Sequence, residues 1–223
     1  MVKIEDVFGV QEELCAELRS CIEVAGGMTM IRHPLVYSVP HFDVMNGMLN
    51  RALDAKKKMV CEATDSRDWL RYVFLHERPH RLQAFLDCCF SIRDDEYWSV
   101  LKSVWIDSEN IWQSKEIWRE IFKKGKEEAK RFMSIEDVKV FEKLPDEFVV
   151  YRGHRNNKDK RGLSYTLSLS VAKKFSKRFD GQGHIVERVI KKSDVFAYTN
   201  GRKEQEIIYI VTGKQQKIGR AHV

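Results

Sequence analysis

The chain has 223 residues, 43% of them hydrophobic and 11% aromatic, which supplies a packed core for one large or two small domains and excludes a disordered linker. Basic residues outnumber acidic ones by 39 to 33, but the excess is local: residues 1–146 carry 22 Lys+Arg and 26 Asp+Glu, a net −4, whereas 147–223 carry 17 and 7, a net +10. No apolar run approaches the roughly 18 residues of a membrane span, and Lys3, Glu5 and Asp6 interrupt any signal-peptide core, so a cytoplasmic protein with no membrane partner is expected.

Taken in chain order, residues 1–133 read as helical. Leu14, Leu18 and Ile22 mark one stripe; Val44, Met48 and Ala52 a second; Trp69-Leu70 with Val73-Phe74 a third that stops before Pro79. A fourth stretch has Trp98, Leu101 and Trp105, then Ser108 as a cap, Trp112, and the Ile117-Trp118 and Ile121-Phe122 pairs. Ser134 with Asp137 three residues on predicts a capping-box start for a short helix that must end before Pro145. Beyond Pro145 the pattern changes to short strands: an apolar run at 148–151, Ser164-Tyr165-Thr166, and Glu204-Gln205-Glu206 after an Asn200-Gly201 turn. Between them a helix over 170–179 turns Val171, Phe175 and Phe179 to the core and Lys173, Lys174, Lys177 and Arg178 to water.

Several other residues carry plain readings. His76, Arg78 and His80 flank Pro79 without a recognisable third ligand and are expected as exposed turn residues. Trp98, Trp105, Trp112 and Trp118 could stack bases, but their helical spacing favours core packing. Five cysteines, odd in number and lacking Cys-x-x-Cys spacing, indicate neither a disulfide framework nor a metal site, and Cys88-Cys89 reads as buried filler. The final residues, Lys217 to Val223, match the translation of a common sequencing adapter; residues 217–223 are therefore expected to be a non-native tail, without which the C-terminal excess is +8.

Arg152-Gly153 ends the strand-like run 148–151, Ser164-Tyr165-Thr166 forms the second strand, and Glu204-Gln205-Glu206 closes the series. This order resembles the arginine-serine-glutamate class of mono-ADP-ribosyltransferases found among bacterial toxins, phage enzymes and vertebrate ectoenzymes. The resemblance covers 147–210 and implies an α+β fold, with a helical N-terminal region (1–133) followed by a split, mostly antiparallel β-sheet domain (134–216) carrying an NAD cleft. The segment 147–216 is short for such a domain, so a helix such as 135–143 is expected to complete it.

The same resemblance implies roles. Glu206 matches the glutamate that binds the ribose and stabilises an oxocarbenium-like state. Glu204 matches the one that orients and helps deprotonate the acceptor, and strand alternation would put both carboxylates on one face. Arg152 would bind the phosphates or ribose of NAD, Gly153 would present its backbone to the carboxamide, Ser164 would position Glu206, and Thr166 would hold the strand end. Tyr165 stands where many relatives carry threonine or tryptophan, and His154 reads equally as a nicotinamide-ribose contact or a loop residue. The implied activity is transfer of ADP-ribose from NAD, used as substrate and without a metal, to a macromolecular acceptor, with release of nicotinamide. A glutamate at 204, where nucleobase-modifying relatives tend to have glutamine, favours a protein arginine over RNA or DNA. An NAD glycohydrolase and an inactive RNA- or protein-binding module are the competing readings.

Overall fold

The computed structural model describes residues 12–109, 111–154, 162–178 and 183–210; the expected tail at 217–223 and Phe179 lie outside them. The chain forms two compact units, Met1–Asp107 and Ser108–Val223, and it is α+β, with one antiparallel sheet in each.

The first unit departs from the all-helical expectation. Helix α1 (Ala16–Arg19) is a single turn, and Ile22, placed on its stripe by periodicity, instead starts strand β1 (Ile22–Ala25). β1 pairs with β2 (Met28–Arg32), and β2 with β3 (Tyr37–Ser38). The cause is local: Gly26 and Gly27 both have positive φ, +60° and +77°, the backbone that a two-residue hairpin requires and that a helix cannot contain. The helices follow as α2 (Asn46–Asp65), α3 (Trp69–Leu75), α4 (Arg81–Cys88) and α5 (Asp94–Asp107). Leu14, Leu18, Ile31, Leu35, Val36, Leu49 and Leu53 form one core cluster, so α2 buries a stripe one position on from the expected Met48, which is exposed.

Beside Pro79, Arg78 is exposed as expected, but the two histidines are not. His76 and His80 are half-buried: Nδ1 of His76 lies 2.9 Å from the Tyr72 carbonyl, and His80 meets the Tyr37 ring edge-on at 6.0 Å. Arg78 and Arg81 share Asp107, at 3.4 and 2.6 Å. Burial lowers the pKa of both histidines. Cys88 is a buried free thiol whose pKa burial pushes up to about 11, as suits filler.

The second unit contains α6 (Lys115–Lys124), α7 (Ala129–Phe132), α8 (Ile135–Glu142), β4 (Glu147–His154), β5 (Ser164–Thr166), α9 (Leu169–Ser176), β6 (His184–Lys191), β7 (Val195–Thr199) and β8 (Glu206–Tyr209). Its five strands are ordered β6-β4-β5-β8-β7, all antiparallel neighbours. Trp118, Phe122, Phe132 and Phe196 make a continuous aromatic core, with Phe122 stacked on Phe196 at 4.4 Å. Trp98, Trp105 and Trp118 are buried, but Trp112 is 65% exposed, so helical spacing did not extend to it. The capping box at the start of α8 is present as expected: the Ser134 hydroxyl accepts from the Asp137 amide at 3.1 Å and Asp137 accepts from the Ser134 amide at 3.3 Å. In α9, Ala172 and Ser176 are buried, Val171 and Phe175 are half-buried, and Lys173 and Lys174, with Lys177 and Arg178 just beyond the helix, are exposed. Among the described residues no helix is long and apolar enough to cross a membrane.

Candidate functional site

The centre of the second unit's sheet brings together residues far apart in sequence. β5 lies between β4 and β8, with Tyr151 opposite Thr166, Ser164 opposite Ile208, and Thr166 opposite Glu206. Alternation therefore places Ser164, Thr166, Glu206 and Ile208 on one face of the sheet. Tyr165 takes the other face with Ile207 and Tyr209, its ring meeting Tyr209 edge-on at 5.7 Å. On the first face the Ser164 hydroxyl donates to Glu206 Oε1, a diagonal cross-strand pair. Glu206 is only 3% exposed, so this is a buried carboxylate oriented by a neighbouring hydroxyl.

Arg152, on β4, reaches the same point through the backbone: its Nη1 donates to the Ser164 carbonyl at 2.6 Å. Ser164 thus bonds both partners with different groups, its backbone carbonyl accepting from Arg152 and its hydroxyl donating to Glu206. Gly162, just before β5, makes room for this arrangement, because a Cβ there would overlap the Arg152 guanidinium. Gly153 has a packing reason of its own: a Cβ there would overlap the backbone of α9 at Ala172 and Ser176. His154 is on β4 rather than in a loop, buried, with its ring 5.6 Å from that of its strand partner His184.

The two glutamates are not related as strand neighbours. β8 begins at Glu206, and Glu204 belongs to the preceding turn, where Lys203 and Gln205 have φ of +57° and +47°. A residue in the left-handed region between two glutamates breaks the alternation on which the same-face expectation rested. Asn200 organises the turn: its carbonyl accepts from the Lys203 amide at 2.9 Å and its side-chain oxygen from the Gln205 amide at 3.1 Å. Thr166 holds the far side, donating to the Glu204 carbonyl at 2.6 Å and accepting from the Ser168 amide at 3.0 Å. What joins the carboxylates is a cation. Arg202 Nε lies 3.2 Å from Glu204 Oε2, and its Nη2 lies 3.8 Å from Glu206 Oε2.

Ser164, Thr166 and Glu206 therefore share one face at the β5-β8 pair beside the Glu204 turn, whereas the register starts Arg152 on the Tyr165 face, from which it reaches the Ser164 carbonyl, and Gly153 packs against α9. Arg202 and Gly162 are the participants that sequence reasoning missed. The spacing of Arg202, four residues before Glu206 in a tight turn, was the available signal for the first; Gly162 carried none. Among the described residues no group of three His, Cys, Asp or Glu is placed to hold a metal ion. No family model, no curated protein and no solved structure matches this chain.

Chemically, the arrangement offers a buried carboxylate fixed by a hydroxyl, a second carboxylate that is 25% exposed, one guanidinium against both, and another on the Ser164 carbonyl. Such a site can stabilise a cationic centre and can pair with an incoming cation.

Proposed function

We propose that the chain is a mono-ADP-ribosyltransferase that moves ADP-ribose from NAD to a macromolecular acceptor, with a protein arginine as the favoured target. The observation that supports this reading is the hydrogen bond of the Ser164 hydroxyl to Glu206, with Arg152 held on the backbone carbonyl of the same serine: three residues named from the motif resemblance meet as neighbours in the sheet. A chance set of common residue types has no reason to do so.

The chemistry follows from charge. The bond between nicotinamide and ribose breaks with its electron pair leaving on nicotinamide, which departs neutral, and positive charge develops at the ribose carbon. Glu206, buried and oriented by Ser164, supplies the opposing negative charge, and its low exposure strengthens that effect. Arg152 supplies a cation for the dinucleotide phosphates. Glu204 takes the proton from the acceptor nitrogen as that nitrogen bonds to the ribose carbon. An acceptor guanidinium needs this help, since it is protonated with a pKa above about 12. Release of nicotinamide on incubation with NAD tests the enzyme reading against a binding module. Label from NAD recovered on protein in a bacterial lysate, resistant to nuclease and removed by protease, separates protein transfer from nucleic-acid modification and from hydrolysis. Absence of nicotinamide release rejects the proposal.

A further inference from the structure

A guanidinium of the chain itself already lies against both carboxylates. Arg202 Nε is 3.2 Å from Glu204 Oε2, and Nη2 is 3.8 Å from Glu206 Oε2. The turn sets this placement. With Lys203 and Gln205 both left-handed and Asn200 binding the amides of each, the chain doubles back, and residue 202 overlies 204 and 206 instead of pointing away. Thr166 pins the Glu204 backbone carbonyl, which fixes the point from which the Glu204 side chain extends.

We propose that Arg202 is a built-in competitor for the acceptor subsite: the protein holds its own guanidinium where an acceptor guanidinium has to bind. The inference rests on the transferase reading of this site and goes further, because it says what occupies the subsite at rest and which acceptor class displaces it. Two carboxylates spanned by one planar group match a guanidinium. An ammonium is a point charge that cannot bridge them in the same way, and a hydroxyl or nucleobase would leave Glu204 without a cation.

The contact has the character of a replaceable occupant. Arg202 and Glu204 are 33% and 25% exposed, and exposed ion pairs contribute little, so an incoming guanidinium exchanges for Arg202 at small cost. The reach to Glu206 is longer than a hydrogen bond. Arg202 therefore screens the buried carboxylate without engaging it fully.

The test uses NAD and agmatine, a small molecule bearing a free guanidinium, with Arg202→Ala and Arg202→Lys. Removing the competitor lowers KM for agmatine about fivefold in Arg202→Ala, with the gain in KM and not in kcat. Arg202→Lys, which keeps the charge but not the fork, falls between Arg202→Ala and the wild type. Arg202→Gln, closer in size, carries the same expectation as Arg202→Ala if the alanine variant melts early. An unchanged or higher KM in the neutral variants overturns the inference. The two proposals fail differently: no nicotinamide release from any of these proteins rejects the transferase reading and this inference with it, whereas release with an unaltered agmatine KM rejects the competitor alone.

Discussion

The Arg152 guanidinium fills the space that a side chain at residue 162 would occupy, so Gly162 and Arg152 are sterically complementary. A methyl at 162 meets the far end of a flexible side chain, which can swing away, so Gly162→Ala should displace Arg152 and leave the fold intact. The loss of one charge-assisted contact predicts about a tenfold weaker NAD affinity by calorimetry, with little change in melting temperature. Arg152→Ala should show the same loss, and the double variant no more than either. If Arg152→Ala weakens binding while Gly162→Ala does not, the steric link is wrong.

In the proposed reaction Glu206 and Glu204 have separate roles. Glu206→Gln keeps the shape and removes the charge beneath the developing cation, so nicotinamide release should fall by more than tenfold, or more than about 1.4 kcal/mol of barrier. Glu204→Gln should lose transfer to agmatine yet keep slow hydrolysis of NAD, because Glu206 still faces the ribose. Full transfer by the Glu204 variant would remove it from the mechanism.

Tyr165 carries a buried hydroxyl for which the described residues provide no hydrogen-bond partner, and its ring lies 5.7 Å from the guanidinium carbon of Arg188. Deleting an unpaired buried hydroxyl relieves its desolvation cost. Tyr165→Phe is expected to be neutral or to stabilise by up to about 1 kcal/mol in urea denaturation. A clear loss of stability would mean that the hydroxyl is paired after all.

The first unit should weaken in mild acid. Burial depresses the pKa of His76 and His80 below the ordinary histidine value, so above about pH 6.5 neither state of the chain binds the extra protons and the two groups are silent. Below that pH the unfolded chain takes up protons first, and stability declines as pH falls. Comparing urea midpoints at pH 7.5 and 5.5, His76→Gln should show a shallower decline than the wild type. An identical decline would count against His76.

The legible parts of this fold were those set by local chemistry. Ser134 and Asp137 announced the start of α8, and Pro145 its limit; the strands at 148–151 and 164–166 were visible from their apolar and β-branched content. What escaped was set by tertiary contact or by unusual backbone. β1 is exposed at every position, so no burial pattern distinguished it, and only Gly26-Gly27 hinted at the hairpin. Glu204 was assigned to a strand because nothing in Gln205 advertises a left-handed conformation, which is imposed by Asn200 and Thr166 on either side. Residue types and order named Arg152, Ser164 and Glu206, which the sheet makes hydrogen-bonded neighbours through Ser164. The gap left by Gly162 and the fold-back of Arg202 required coordinates.

Asp137 serves two masters with its two oxygens. Oδ2 caps the first turn of α8, while Oδ1 accepts the amide of Asn200, the residue that organises the glutamate turn. Glutamate, a common substitute at such a helix start, is one carbon longer and would have to give up one of these partners. The helix start and the glutamate turn are therefore tied to one another through a single side chain, so that a substitution at residue 137 is felt at both ends at once.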